Sequence, residues 1–303
     1  IIKGSVETYR KLRNTVRYML GALDGWTDAE ALPREEMPSL ERWVLHRLAE
    51  LDGQIRAAYD VYDFKRIMAL LINFCGVDLS AVYFDIRKDS LYCDPRFETQ
   101  SAWDDATATY GNRRRAARTV MAAVLERLLT WLAPIMPFTT EEAFLESHIN
   151  DRADSVHLLQ FPATPDGWKD EALAARWAKI FTVRRVVTGA LEVERREKRI
   201  GASLEAAPKV HIADEALIEA FKGENAADIF ITSGAELIHT SNGNGSGFTL
   251  DDTDGVTVYP EKADGIKCRR SWKYFDPALA DPAFPDITPR DALTVKAWDK
   301  AAG

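Results

Sequence analysis

The sequence predicts a mainly α chain: a helical bundle over residues 1–204, followed by a small α/β module over residues 205–303. Three observations carry this. Apolar residues recur at steps of three and four through the first two-thirds of the chain. Short polar connections containing Pro or Gly separate these stretches, as neighbours in a bundle require. After Ser203 the pattern gives way to short β-rich runs.

Val6, Tyr9, Leu12, Val16, Met19, Leu20 and Leu23 draw the stripe of a first helix, which Asp24 and Gly25 end. Ser39 is placed to cap a second, with Leu40, Trp43, Val44, Leu48, Leu51, Ile55 and Tyr59 on one face. A third runs from Phe64 to just before Asp94 and Pro95, and a fourth from about Ser101 to Leu132, where Ala133 and Pro134 stop it. Thr139 and Glu142 have capping-box spacing for the next helix. An extended piece, Val156 to Phe161, precedes a long helix over about 170–199. Beyond the boundary, residues 209–212, 229–232, 248–250 and 256–259 read as strands, with a short helix around 216–221. The glycine-rich run 243–247 lacks the Lys and Ser/Thr of a phosphate loop and reads as a hairpin loop.

Composition narrows the function. With 39 basic and 47 acidic residues the net charge is −8, which argues against a general nucleic-acid binder. The charge is unevenly placed, however. Residues 1–20 carry a local +4, Arg113, Arg114, Arg115 and Arg118 another +4, and residues 184–199 a +3; Lys267, Arg269, Arg270 and Lys273 form a fourth cluster. Each alone fits a solvated face, whereas four in an acidic chain point to a polyanion-binding surface. The most apolar stretch considered, 119–138, is broken by Glu126 and Arg127, so no membrane helix is expected. Three cysteines cannot all pair, which fits a reducing cytosol, and the start at Ile1 suggests a piece of a longer protein. The five histidines are scattered, and no nucleophile elbow, P-loop or dinucleotide fingerprint occurs, so no catalytic residue is assigned.

Four segments resemble a known family. They are Tyr9-Arg10-Lys11-Leu12-Arg13-Asn14-Thr15-Val16-Arg17-Tyr18, the stretch from Phe74 through Asp78-Leu79-Ser80-Ala81 and Lys88-Asp89 to Tyr92, Leu132-Ala133-Pro134-Ile135-Met136-Pro137-Phe138-Thr139-Thr140-Glu141-Glu142, and Arg195 to Ala206. Together they resemble the anticodon-binding helical domain of class I aminoacyl-tRNA synthetases, in the isoleucine branch. Valyl, leucyl or methionyl relatives are the near alternative, and a noncatalytic helical scaffold the distant one. The resemblance implies a cytoplasmic monomer that binds the anticodon stem-loop of isoleucine tRNA. The parent enzyme would use ATP and Mg. Its His-x-Gly-His and Lys-Met-Ser-Lys-Ser motifs do not occur here, so this chain is expected to be inactive by itself and to need no cofactor.

Many bacterial relatives close with two Cys-x-x-Cys pairs around zinc. Here the matching positions read Cys268, Ser271, Thr288 and Asp291, a poor tetrahedral set, so zinc is expected to be absent. Packing of Trp272, Tyr274, Phe275 and Trp298 would hold the tail instead. Anticodon loops are read by stacking and edge hydrogen bonds, and their stems are held by phosphate contacts. Arg10, Arg13, Asn14 and Arg17 lie at i, i+3, i+4 and i+7, one helix face, and are the leading candidates. Asn14 is open between a base contact and a packing bond. Lys88, Arg113, Arg114 and Arg115 come second. Trp272, with Lys267, Arg269, Arg270 and Lys273, has the makeup of a stacking platform or of a knuckle core.

Overall fold

A computed structural model describes residues 2–240 and 247–302. Contacts divide the chain into two compact units, residues 1–171 and 172–303. The first is all helical: α1 (Ile2–Ala22), α2 (Ser39–Asp60), α3 (Phe64–Asn73), α4 (Asp85–Cys93), α5 (Asp105–Leu132) and α6 (Pro137–Leu145), with short 3-10 pieces between. α5 is the central helix. Ala116, Ala117, Val120, Met121, Val124, Leu125, Leu128 and Trp131 are all buried, leaving it no solvated face over its second half. α1, α2, α4 and α6 pack against it.

Between α3 and α4 the backbone continues as a π-helix, Phe74–Phe84, so residues 64–93 form one unbroken helical run. The Ser80 hydroxyl also donates to the Cys75 carbonyl, at 2.7 Å. This run, and not 119–138, is long and apolar enough to cross a bilayer. Its place in the bundle accounts for that composition: Ile67, Leu71, Leu79 and Tyr83 are buried, and Asp78 pairs with Arg47 at 3.2 Å.

Several helix starts differ from the sequence expectation. α2 begins at Ser39 itself, with Pro38 as its cap residue. α6 begins at Pro137, which suits the first helical position because proline lacks the N–H left unpaired there. Thr139 and Glu142 therefore lie inside the helix and form no capping box. Thr139 instead meets the Tyr9 hydroxyl at 3.0 Å, while Glu141 accepts from Ser155 and from the Val156 amide, both at 2.9 Å. Residues 156–158 form a 3-10 turn where an extended piece was expected.

The second unit opens with α7 (Glu171–Arg196), then β1 (Lys209–Ile212), α8 (Glu215–Glu219), α9 (Ala226–Phe230), β2 (Glu236–His239), β3 (Phe248–Leu250), β4 (Thr253–Tyr259), β5 (Ile266–Lys267), β6 (Tyr274–Phe275) and α10 (Pro289–Ala302). The main sheet has the order β2-β1-β4-β3, parallel between β1 and β2 and antiparallel elsewhere. Val210, Ile212, Val256 and Val258 alternate onto its buried face. From residue 172 on, the long helix belongs with this sheet. Phe248 packs so closely on Gly189 that an added Cβ there would sit 3.0 Å from the ring, and Arg185 grips Asp252 at 2.6 Å. The division by contacts thus falls ahead of α7, whereas the change of texture near 205 marks only where strands begin.

Residues 229–232 are not a strand. Asn225 caps α9, and Ile231 ends it in the left-handed conformation at φ 60°, so the β-branched run is used as a helix end. The parallel edge strand lies farther on, at β2. Gly243 to Ser246 lie outside the described residues; β2 and β3, on either side, stand at opposite edges of the sheet and are not hairpin partners.

Candidate nucleic-acid interface

α1 buries Leu12, Thr15, Val16 and Met19, which leaves its basic side chains on the opposite arc. Arg10, Arg13, Asn14 and Arg17 are all exposed, as their spacing requires. The arc is not uniform. Arg13 and Arg17 border a cavity of about 230 Å³ that Glu142 of α6 and Glu146, just past its end, also line. Asn14 falls to the other side, where it lines a cleft of about 490 Å³ with Lys11, Tyr18, Gly76 and Ser80 along the π-helix. Lys11 is thus a candidate that spacing did not single out; the π-helix opposite it has no sequence signature. The Tyr18 and Phe84 rings pack at 4.5 Å, and burial pushes the Tyr18 phenol up to about 12, so it stays protonated as a donor. Arg10 pairs with Glu7 at 3.2 Å in an exposed i,i+3 contact of little energetic weight. Lys88 is exposed on α4.

The arginine run of α5 is tied into the fold by other elements. Arg113 makes a two-pronged pair with Asp94, at 2.8 and 2.9 Å. Arg114 is buried, donating to the Leu91 carbonyl at 3.2 Å, with Glu30 at 3.7 Å. Burial and the neighbouring Arg118 lower its guanidinium to about 10. Arg115 donates to the Glu30 carbonyl and lies over the Phe97 ring. Arg118 is 1% exposed and pairs with Glu30 at 3.2 Å. Burial raises the Glu30 carboxyl, and Arg118 and Arg114 pull it back. The run reads as a surface patch only while its partners, far off in the sequence, are unseen. In the cluster at 184–199, Arg184 donates to the Ile229 carbonyl at the end of α9, and Arg199 is held by Glu194 and Glu197.

The tail cluster divides differently. Lys273 is tied to Asp228 at 2.6 Å, and Arg270 leans on the buried Asp291 at 3.5 Å, so both serve the fold. Arg269 is 80% exposed, with Asp286 at 3.4 Å. Trp272 is 63% exposed, which overturns its reading as a knuckle core; Trp298 is exposed as well. The Lys267 ammonium sits 5.8 Å from the centre of the Trp272 ring, a cation–π pair at the surface. Gly265, at φ 96°, permits the turn into β5, since a Cβ there would lie 2.1 Å from the Phe275 carbonyl oxygen.

A buried imidazole, His46, stands near Glu50 and Glu171 in a grouping that could hold a metal ion. Its Nδ1 accepts from the Asp170 amide at 2.9 Å and its Nε2 faces Glu50 at 3.5 Å, while Arg47 also sits on Glu50. That arrangement fits a structural histidine of α2 that holds the residue before α7.

Residues 41–212 match the family described as the anticodon-binding domain of tRNA ligase. The chain belongs to that family. Isoleucine–tRNA ligases are similar along nearly the whole chain. That of Agrobacterium fabrum is 49% identical over 98% of this chain and 29% of its own length; that of Brucella abortus is 48% identical over the same shares. The Caulobacter vibrioides ligase is 47% identical over 100% of this chain and 30% of its own length. This anticodon-binding chain therefore spans less than a third of the relatives it matches. In it, the helix that carries Arg10 to Arg17 and the loop that carries Trp272 both leave basic side chains exposed, and the loop adds an exposed indole.

Proposed function

We propose that this chain is the anticodon-recognising part of an isoleucine–tRNA ligase and holds the anticodon stem-loop of isoleucine tRNA. The observation that carries the reading is Trp272: an exposed indole beside Lys267 and Arg269, on a chain of the anticodon-binding family. A large exposed aromatic flanked by cations is what a splayed loop base stacks on. The exposed flank of α1 supplies phosphate contacts, with Arg13, Arg17 and Lys11 available among the described residues and Asn14 offering an amide for hydrogen bonding.

The parent enzyme, on this reading, attaches isoleucine to its tRNA with ATP and Mg, in a reducing cytosol. Activation is the work of parts beyond this chain, so pyrophosphate exchange with isoleucine and ATP stays at background. The chain acts as a monomer. The test is a titration with isoleucine tRNA and with an anticodon-swapped version, at several salt concentrations. Tighter, salt-dependent binding of the cognate anticodon supports the reading. Equal affinity for both, or none for either, leaves a helical scaffold.

A further inference from the structure

Four side chains from two segments of the tail meet at one point. Cys268 and Ser271 belong to the loop between β5 and β6, Thr288 and Asp291 to the start of α10. Asp291 Oδ2 accepts from Cys268 Sγ at 3.1 Å, from Ser271 Oγ at 2.7 Å and from Thr288 Oγ1 at 2.7 Å. Its Oδ1 faces Arg290 Nη2 at 3.1 Å and Arg270 Nε at 3.5 Å. The carboxylate is fully buried. The backbone amides of Arg270, Ser271 and Thr288 each point at Cys268 Sγ from 3.4 Å.

These are the positions set against a zinc pattern above. A metal site is a cation ringed by lone pairs. Here the centre is an anion ringed by donors, the same convergence with inverted polarity. Zinc does not fit this set: the carboxylate oxygen already accepts three hydrogen bonds, and the neighbouring hydroxyls are poor zinc ligands.

The loop so tied carries Trp272. Its φ is 64°, a left-handed conformation that a bulky side chain adopts only when its surroundings impose it. Above the loop the indole is open to solvent, so the constraint comes from below. Cys268 donates its amide to the Lys273 carbonyl at 2.8 Å and accepts the Trp272 amide at 3.0 Å, and its side chain is anchored on Asp291.

We propose that Asp291 is the positioning residue of this tail: its buried carboxylate takes the place of a metal ion as the hub that joins loop 268–273 to α10 and holds Trp272 out for base stacking. The stacking role rests on the proposed function; the hub does not.

Two variants of the full chain test it. Asp291→Asn keeps the shape but removes the charge. The triple variant Ser271→Cys, Thr288→Cys, Asp291→Cys places sulfurs at all four converging positions. By elemental analysis the triple variant should take up one zinc per chain and the wild type none. Amide exchange over residues 267–274 should then match wild type with zinc and quicken about tenfold on chelation, while chelator leaves the wild type unchanged. Asp291→Asn should exchange as fast as the chelated variant, with or without zinc. Affinity for isoleucine tRNA should fall about tenfold in each loosened state, as loss of one stacked base would cause. Absence of zinc uptake, or exchange that ignores chelation, overturns the hub. Exchange that responds while tRNA affinity does not would keep the hub and overturn the stacking role of Trp272.

Discussion

Residues 113–118 and residues 267–273 carry the same local charge, +4, and have opposite fates. In the first, each arginine finds acceptors supplied by other elements: Asp94 before α5, the Leu91 carbonyl on α4, and Glu30 in a single turn after α1. In the second, Asp228 and Asp291 take two cations into the fold, while Lys267 and Arg269 remain at the surface beside an exposed indole. A basic run is therefore an interface only to the extent that the rest of the molecule brings it no carboxylates. Burial makes the first cluster a matter of stability, and exposure makes the second a matter of the proposed binding.

The sharpest way to break this comparison is Arg118→Ala. It leaves Glu30 buried without its nearest cation, and removing one partner of a buried pair costs about 3–5 kcal/mol. Urea unfolding should show that loss, and tRNA affinity of the protein that stays folded should be unchanged. A surface-like loss below about 0.5 kcal/mol would return the α5 arginines to the RNA face.

A second expectation concerns pH and the same bundle. His148 packs against the Trp26 edge, and burial, then Arg152, push its imidazole down to about 4. The fold holds it neutral while the unfolded chain takes up a proton near pH 6.5. Its contribution is whole above that pH and is lost as the pH falls toward 4, amounting to about 1–3 kcal/mol by linkage. His148→Gln should flatten the stability profile between these values; an unaltered slope removes His148 as its source.

In the tail the expected effect lies in binding. Trp272→Ala should weaken tRNA binding by about 1–3 kcal/mol with the salt slope kept, since stacking releases no counterions. Melting should change little, because the ring is mostly solvated. A melted tail with unchanged binding of the folded fraction would mean that the indole serves packing.

The smallest effects belong to α1. Arg13→Ala and Arg17→Ala should each lower the salt slope of log K by roughly 0.7–0.9, with helicity and melting nearly unchanged. Glu142 and Glu146 share their cavity. If those carboxylates already neutralise the arginines, affinity and slope will match wild type, and α1 will resemble α5 more than the tail.

Most helices were legible from apolar spacing, since a bundle buries one stripe per helix and that stripe recurs every three or four residues. The strands β1 and β4 showed for the corresponding reason, their alternation onto one face. Less legible were features set by partners far along the chain. Residues 229–232 have strand-forming side chains, yet Asn225 caps a helix there and another segment fills the sheet edge. α7 continues the helical texture of the first unit but packs on the sheet that follows.

The sequence by itself determined the fold class and the first basic helix face, because each is fixed by residue types at short spacing. Only the tertiary structure decided which arginines are buried in ion pairs, that Trp272 faces solvent, and that Asp291 draws Cys268, Ser271 and Thr288 together. Those outcomes depend on which carboxylates and donors arrive from elsewhere in the chain, and the energy of a buried charge is set by the neighbours that fold around it.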